Sequence, residues 1–234
     1  MEVNKKALIG IMLAVSFIIS SNNVTYGYEN NSSVDEILKT IELSIKEYKV
    51  TGSFNTVKTK DETYNQIIKV VKNLIGQVEI SPEDKNKFKI NYGEEECNGE
   101  IMIHPYKEGY EVVFSISLYG ENLSFDEKDK LETKMKNVLS ILNSKVEYSL
   151  CVKSEIMNNT MDEVREMVIN NLSSREAKNT EEVKIYNGYS IIGYTGLDNK
   201  RTILEKDIDF NCAIVKYSSG CYLIMGEPEI TITY

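Results

Sequence analysis

Carboxylates are the most abundant reactive side chains of this chain, and two of them are spaced so that they could act together. Asp207 and Asp209 flank Ile208, so an extended strand would place both on one face. Two close carboxylates perturb each other's pKa, as a glycosidase or a cation site requires. Such pairs also arise by chance in acidic chains, so we assign no catalytic, cofactor-binding or metal-ligating residue from the sequence.

Other catalytic chemistries find little support. The single histidine, His104, excludes zinc sites built on two histidines and leaves Ser-His-Asp or Cys-His mechanisms only if it is the base. It precedes Pro105 where a strand is expected to end, which favours a plain polar position. Phosphate-binding glycine loops, Gly-x-Ser-x-Gly and Cys-x-x-Cys are missing from the sequence. Glu94–Glu96 is interpreted as a solvated loop, and we predict neither enzymatic activity nor a cofactor.

The four cysteines allow two disulfides in three pairings. They are Cys97, Cys151, Cys212 and Cys221. Cys151 is expected on a polar strand face, and a two-residue turn would place Cys221 opposite Ser218, away from Cys212. Strand cysteines are often plain core residues, so the sequence leaves the pairing open.

The two aspartates lie at the start of a C-terminal stretch whose pattern predicts antiparallel strands. Residues 208–215 alternate between two classes of side chain, with the period of two expected of a strand. Gly220 supplies turn chemistry, and a second strand follows to Met225. Pro228 is expected to kink or bulge this strand, which then resumes as Ile230–Tyr234.

Four helices are predicted from the same N-terminal signal, a [Ser/Thr]-x-x-Glu capping box. The boxes are Ser33–Glu36, Thr59–Glu62, Ser124–Glu127 and Thr160–Glu163. One apolar stripe follows each box, so each helix should pack one side on a sheet. The stripe of the first helix comprises Val34, Ile37, Leu38, Ile41, Ile45 and Tyr48.

Strand patterns lie between and after the helices. Val50–Lys60 and Lys145–Lys153 connect the helices of each pair, and several strands follow the second and the fourth helix. The order helix, strand, helix, strands therefore occurs twice. We predict an α+β fold made of a duplicated unit, with antiparallel sheets and helices on one face. The halves would be 33–120 and 121–234, related by a pseudo-twofold.

The N-terminus resembles a secretion signal. Lys5 and Lys6 precede the apolar run Ala7–Ile19, which is shorter than the ~20 residues of a spanning helix. Cleavage is expected after Gly27, so residues 1–27 form the signal and 28–32 a flexible lead-in. An uncleaved anchor is the alternative. Both place the folded part outside the cytoplasm.

The negative net charge of the protein argues against some classes of partner. The formal net charge is −9 at pH 7, from 27 basic and 36 acidic residues. An acidic surface repels phosphate backbones and anionic membranes, so we expect no nucleic-acid partner and no stable membrane span once the signal is removed.

The C-terminal residues also resemble those of a known family. Gly226-Glu227-Pro228-Glu229-Ile230-Thr231-Ile232-Thr233-Tyr234, preceded by Val215–Tyr222, are similar to the end of the YwmB family. The resemblance implies an exported protein of Gram-positive bacteria with a TATA-box-binding-like fold and no assigned biochemical activity. It carries over no catalytic residue, and a fold label does not imply DNA binding.

These observations lead to two functional expectations. The first is a secreted, non-catalytic binding or scaffolding protein of the Gram-positive cell envelope, whose partner is an unknown wall polymer or another exported protein. The alternative is a carboxylate-dependent hydrolase of cell-wall glycan that uses Asp207 and Asp209.

Overall fold

The computed structural model describes residues 32–75, 79–84, 87–91, 97–142, 145–196 and 200–232. The predicted signal peptide, nearly all of the lead-in and Glu94–Glu96 lie outside these ranges. Helices within them are α1 (Ser33–Thr40), α2 (Lys60–Ile75), α3 (Phe125–Leu142) and α4 (Met161–Ser174). None of these helices is long and apolar enough to cross a membrane.

Twelve strands accompany the helices in the described ranges. They are β1 (Leu43–Thr56), β2 (Glu79–Asp84), β3 (Lys87–Asn91), β4 (Cys97–Tyr106), β5 (Gly109–Tyr119), β6 (Glu147–Ile156), β7 (Lys178–Ile185), β8 (Gly188–Tyr194), β9 (Arg201–Ile203), β10 (Lys206–Ile208), β11 (Phe210–Tyr217) and β12 (Gly220–Glu227). The expected α+β class with large antiparallel sheet structure and packed helices is confirmed.

The chain divides into two compact units, which we call the central unit (45–150) and the terminal unit (residues up to 44 together with 151 onward). Strands of the central unit pair in the order β2-β3-β4-β5-β1, and those of the terminal unit in the order β7-β8-β11-β12-β6. Each strand of the central unit has a counterpart in the terminal unit at the same place in the order: β1 corresponds to β6, β2 to β7, β3 to β8, β4 to β11 and β5 to β12. Strands β9 and β10 form a separate hairpin. The same order of strands therefore occurs in both units.

The helices are distributed differently from the expected halves, 33–120 and 121–234. In the central unit α3 contacts α2 and β5, and in the terminal unit α1 contacts α4 and β12. The first helix of each predicted half is therefore grouped with strands of the other half. Val34, Ile37 and Leu38 of α1 are buried. They form the apolar face of the helix, and such a face must pack against other elements to be removed from water.

Three of the four capping boxes are confirmed. Thr160 and Glu163 exchange both hydrogen bonds at the start of α4, and the boxes at Thr59 and Ser124 do the same. The first box is wrong. Ser32 is the N-cap of α1 and accepts from the backbone N–H of Asp35, 3.0 Å away.

The first helix is also shorter than its apolar stripe suggested. Ile41 already has extended backbone angles, and Ile45 and Tyr48 belong to β1. Both are buried although they lie on opposite faces of the strand. Apolar residues on both faces of a strand imitate a helical stripe, and this caused the error. The predicted strand Val50–Lys60 thus begins earlier, at Leu43, and ends at Thr56.

In the central unit, α3 packs on one face of β1 and β5. A Cβ on Gly52 would overlap the end of the Leu139 side chain in α3, so glycine lets α3 approach β1 closely at this position. Phe114 of β5 lies directly opposite Gly52 and is fully buried. Gly52 and Phe114 therefore mark the helix side of this sheet.

In the terminal unit, β11 is buried on both faces. All residues from Ile208 to Val215 are buried, whereas the alternation had suggested one wet face. The cover comes from the C-terminal segment. After β12 ends at Glu227, residues 228–232 form no strand, and Ile232 packs against Cys151, Ala213 and Val215.

Two details of the predicted hairpin are corrected by this geometry. The resumed strand Ile230–Tyr234 does not occur over its described residues, because the chain turns sharply at Gly226, where a Cβ would overlap the carbonyl of Glu229. Cys221 pairs with Lys216 and not with Ser218, since the turn is centred on Ser218 and Ser219.

Candidate functional site

The carboxylate pair Asp207 and Asp209 does not share a strand face. Strand β10 ends at Ile208, and Asp209 lies in the bend before β11. Asp207 is partly exposed and accepts hydrogen bonds from Lys200 Nζ and Thr202 Oγ1, both at 2.7 Å. These two contacts, that of Lys200 first, hold the pKa of Asp207 below its usual value. Asp207 therefore forms an ion pair with Lys200 at the protein surface.

Asp209 is fully buried and has different partners. Its oxygens accept from the backbone N–H groups of Thr195 and Gly196, both at 2.7 Å, and from Thr195 Oγ1 at 3.1 Å. Hydrogen bonds to a charged acceptor are the strong ones. Asp209 therefore fastens the chain after β8 to the start of β11, which is a structural role.

The network around Asp209 continues to the start of α1. Thr195 Oγ1 lies 3.1 Å from Ser33 Oγ, and Glu227 Oε1 accepts from the backbone N–H of Val34 at 2.6 Å. Glu227 is buried and supplies negative charge at a helix N-terminus, where it is favourable. The sequence contained no signal for this contact, because Glu227 and Val34 lie far apart along the chain.

His104 and the cysteines are placed as ordinary strand residues. His104 is exposed within β4, which continues to Tyr106 instead of ending at the histidine. None of the four cysteines, all of which the structure describes, forms a disulfide. Cys151 is buried, although it was expected on a polar face, because the C-terminal segment covers that side of the terminal unit. Burial strongly raises the pKa of the Cys212 thiol.

Among the described residues, no group of three or more histidine, cysteine or acidic side chains is arranged to hold a metal ion.

The central unit contains a surface that the sequence analysis missed, which we call the polar face. It is the side of β1, β4 and β5 opposite Gly52 and Phe114. Cross-strand partners in antiparallel strands point to the same side, so the register defines its members. They are Glu47, Lys49, Thr51, Ser53 and Asn55 of β1, Glu111, Val113, Ser115, Ser117 and Tyr119 of β5, and Asn98, Glu100, Met102, His104 and Tyr106 of β4.

Small hydroxyl side chains occupy the middle of the polar face. Thr51 lies opposite Ser115, and Lys49 lies opposite Ser117. Thr51, Ser115 and Ser117 are buried among their neighbours although they are polar. The Oγ1 of Thr51, whose side chain is 7% exposed, has no hydrogen-bond partner within the structure, which is uncommon for a buried polar group.

Tyr119 stands at one end of the polar face, opposite Glu47. Its side chain is 40% exposed. Burial of the other part raises the pKa of its hydroxyl, a hydrogen bond with Ser117 opposes this, and the Glu47 carboxylate adds to the increase. The Tyr119 hydroxyl is therefore engaged by Ser117 and Glu47, and part of the ring is exposed to solvent.

The corresponding side of the terminal unit is covered by apolar side chains. Ile232 and partly buried Ile230 cover Cys151, Ala213 and Ile224 there. The polar face of the central unit is therefore the better candidate for binding. The sequence signal of the polar face was the alternation of polar residues with apolar residues or glycine in 49–53 and 114–117.

Comparison with known proteins adds little. No family model and no curated protein matches this chain. A solved structure with some similarity is the di-domain ARO/CYC BexL from the BE-7585A biosynthetic pathway, at a TM-score of 0.30 and 8% sequence identity, covering 78% of this chain and 84% of that one. A likeness this weak supports no argument about fold or function.

Proposed function

We propose that the protein is a secreted, non-catalytic binding protein of the Gram-positive cell envelope, and that its ligand contacts the polar face. The polar face is the observation that carries the proposal. Helices pack on the other side of β1 and β5 through apolar residues, whereas this side carries hydroxyl, amide and charged groups. The members of this side that are at least partly exposed place hydrogen-bonding groups on rigid strands; they include Lys49, Ser53, Asn55, Asn98 and His104.

The N-terminal and C-terminal residues support the envelope location. The charged, apolar and small-residue regions of 1–27 have the order of a secretion signal, and Gly226–Tyr234 resembles the YwmB family. We extend the proposal to a TATA-box-binding-like fold, which the repeated order of strands in the two units supports. Nucleic acid is not the proposed ligand, because the partly exposed Glu100 and Glu111 lie on the polar face and would face its phosphates.

A wall-binding assay tests the proposal. The chain from Tyr28 onward is incubated with purified Gram-positive cell-wall sacculi, and the bound fraction is measured after sedimentation. Tyr119→Ala removes the exposed ring from the polar face and should lower the bound fraction severalfold. Tyr186→Ala is the matched control, because Tyr186 is fully exposed in the turn between β7 and β8 of the terminal unit.

Two results would contradict the proposal. One is a wild-type protein that stays in the supernatant with sacculi and with the other polymers of an envelope extract. The other is release of reducing sugar from the sacculi that Asp207→Asn abolishes, which would favour the hydrolase alternative.

The location is tested separately. N-terminal sequencing of protein from the medium or wall fraction should begin at Tyr28. A species that retains Lys5 and Lys6 in the membrane would indicate an uncleaved anchor.

A further inference from the structure

We infer that the segment after β12 is a strap that opens and closes on the terminal unit while the rest of the fold stays intact. The strap comprises residues 228–232, whose last member packs against the sheet of the terminal unit. When it opens, it uncovers an apolar side of that sheet and so controls access to it. The inference concerns the terminal unit alone and does not depend on the polar face.

The strap and α4 lie on opposite sides of the sheet in the terminal unit. Leu172 of α4 is 3.5 Å from the position that a Cβ on Gly193 would take, so α4 lies on the side of Gly193. The register of β8 with β11 places Cys212 on this same side. Ala213 is the next residue of β11 and lies on the other side with its cross-strand partner Ile224. The strap covers this second side.

The strap is held to the sheet by apolar contacts. Ile232 is 7% exposed, and Ile230 packs beside it while it stays partly exposed. Ile232 completes a cluster whose other members are all fully buried, namely Cys151, Ala213, Val215 and Ile224. Movement of Ile232 away from the cluster would therefore bring water to an apolar sheet side that the closed protein conceals.

The strap is attached less firmly than the strands beneath it. It forms no strand, so its departure leaves the pairing of β11 with β12 and with β8 in place. A partly exposed ion pair between Glu229 and Arg201, at 3.1 Å, adds little to the attachment. Opening of a short segment also exposes far less apolar surface than unfolding does. The strap therefore opens at a lower free energy than the whole fold.

The start of the strap is fixed. Glu227 ends β12, and its Oε1 accepts a hydrogen bond from the backbone N–H of Val34 at 2.6 Å. Gly226 has no side chain, which lets the carbonyl of Glu229 come close to it, so the first residues of the strap fold back over the sheet. The motion therefore begins after a strand end that α1 holds in place.

Two buried cysteines report separately on the two sides of the sheet. Cys151 belongs to the cluster under Ile232, whereas Cys212 lies on the side of α4 and is equally buried. Opening of the strap uncovers Cys151 and leaves Cys212 covered. Global unfolding exposes both thiols.

The experiment measures the labelling of both thiols in the full chain. Native protein is treated with N-ethylmaleimide at several urea concentrations below the unfolding transition, and labelled peptides are quantified by mass spectrometry. Cys151 should react faster than Cys212. The rate at Cys151 should change little with urea, because strap opening exposes little surface, and the rate at Cys212 should rise steeply, because it requires unfolding.

Two variants connect the rates to the strap. Ile232→Ala should accelerate labelling of Cys151 by about tenfold or more, because it removes the main apolar contact of the strap. Val168→Ala is the matched control, because Val168 is a fully buried residue of α4. It lowers the stability of the whole fold, so it should accelerate labelling of Cys212 and leave the rate at Cys151 unchanged in the absence of urea.

Three results would overturn the inference. The first is equal labelling rates of Cys151 and Cys212 with the same dependence on urea, which would mean that the strap leaves the sheet only when the protein unfolds. The second is a rate at Cys151 that Ile232→Ala does not change, in a variant whose circular dichroism spectrum is that of the wild type. The third is acceleration of both thiols by the same factor in Val168→Ala.

Discussion

Asp209→Asn should destabilise the fold strongly, and the size of the effect follows from the three hydrogen bonds of this buried carboxylate. Two of them come from the backbone N–H groups of Thr195 and Gly196, both at 2.7 Å. An amide has a single acceptor oxygen, so one N–H must lose its acceptor and face the NH₂ group instead. Losing a hydrogen bond to a charged group costs about 1.5–3 kcal/mol, and an unsatisfied buried N–H costs about 1–3 kcal/mol more.

The expected loss is therefore about 3–5 kcal/mol of the free energy of unfolding. For a chain of this size each kcal/mol lowers the melting temperature by about 2–4 °C, so the total shift is roughly 6–20 °C. Thermal unfolding followed by circular dichroism, together with urea titration, measures both quantities. Asp207→Asn is the control, because the exposed ion pair with Lys200 should leave the melting temperature unchanged within error.

Two outcomes of this experiment would refute the roles assigned to Asp209 and Asp207. An Asp209→Asn protein that melts within about 2 °C of wild type would show that the contacts with Thr195 and Gly196 do not hold the start of β11. An Asp207→Asn protein that loses as much stability as Asp209→Asn would equally contradict the different roles assigned to the two carboxylates.

Three further predictions concern the C-terminal segment, the thiols and the helix caps. Ile232→Ala should cost about 2–4 kcal/mol in urea unfolding, because Ile232 is buried in the apolar cluster of the terminal unit; an unchanged midpoint would mean that the segment is peripheral. In native protein Cys97 should react with iodoacetamide well before Cys212, because Cys212 is buried and its thiol pKa is raised; equal labelling rates on mass spectrometry would contradict this. The Ser124 hydrogen bonds lower the pKa of Glu127, so its contribution to stability should be complete above the unfolded-state pKa and fall as pH decreases through the folded-state value. Glu127→Gln should flatten this part of the stability curve, and a curve identical to wild type would count against the cap.

The sequence predicted well the features that depend on neighbours along the chain. Three capping boxes were identified because the hydroxyl and the carboxylate that exchange hydrogen bonds are three residues apart. The same pattern misplaced the cap of α1, because Ser32 and Ser33 stand side by side. Only the fold showed that Ser33 is buried beside Thr195 while Ser32 caps the helix.

Longer-range features were predicted less well. Ile41, Ile45 and Tyr48 looked helical, because burial on both faces of β1 produces the spacing of a helical stripe. Asp207 and Asp209 looked like a pair, because sequence spacing cannot show that β10 ends between them. The hydrogen-bond partners of each carboxylate come from other parts of the chain. Asp207 is bound by Lys200, and Asp209 is bound by the turn after β8.

The sequence by itself determined the α+β class, the types and order of most elements, and three helix starts, because periodicity and capping are local properties of a polypeptide. Tertiary structure alone decided which helix lies on which strands, which side of β11 is covered, and that the hydroxyls of β1 and β5 lie side by side. Thr51 and Ser115 are distant in sequence and become neighbours only through the register of two strands. A surface made of cross-strand pairs, such as the polar face, is therefore visible only after the chain has folded, because the pairing depends on contacts across the whole sheet.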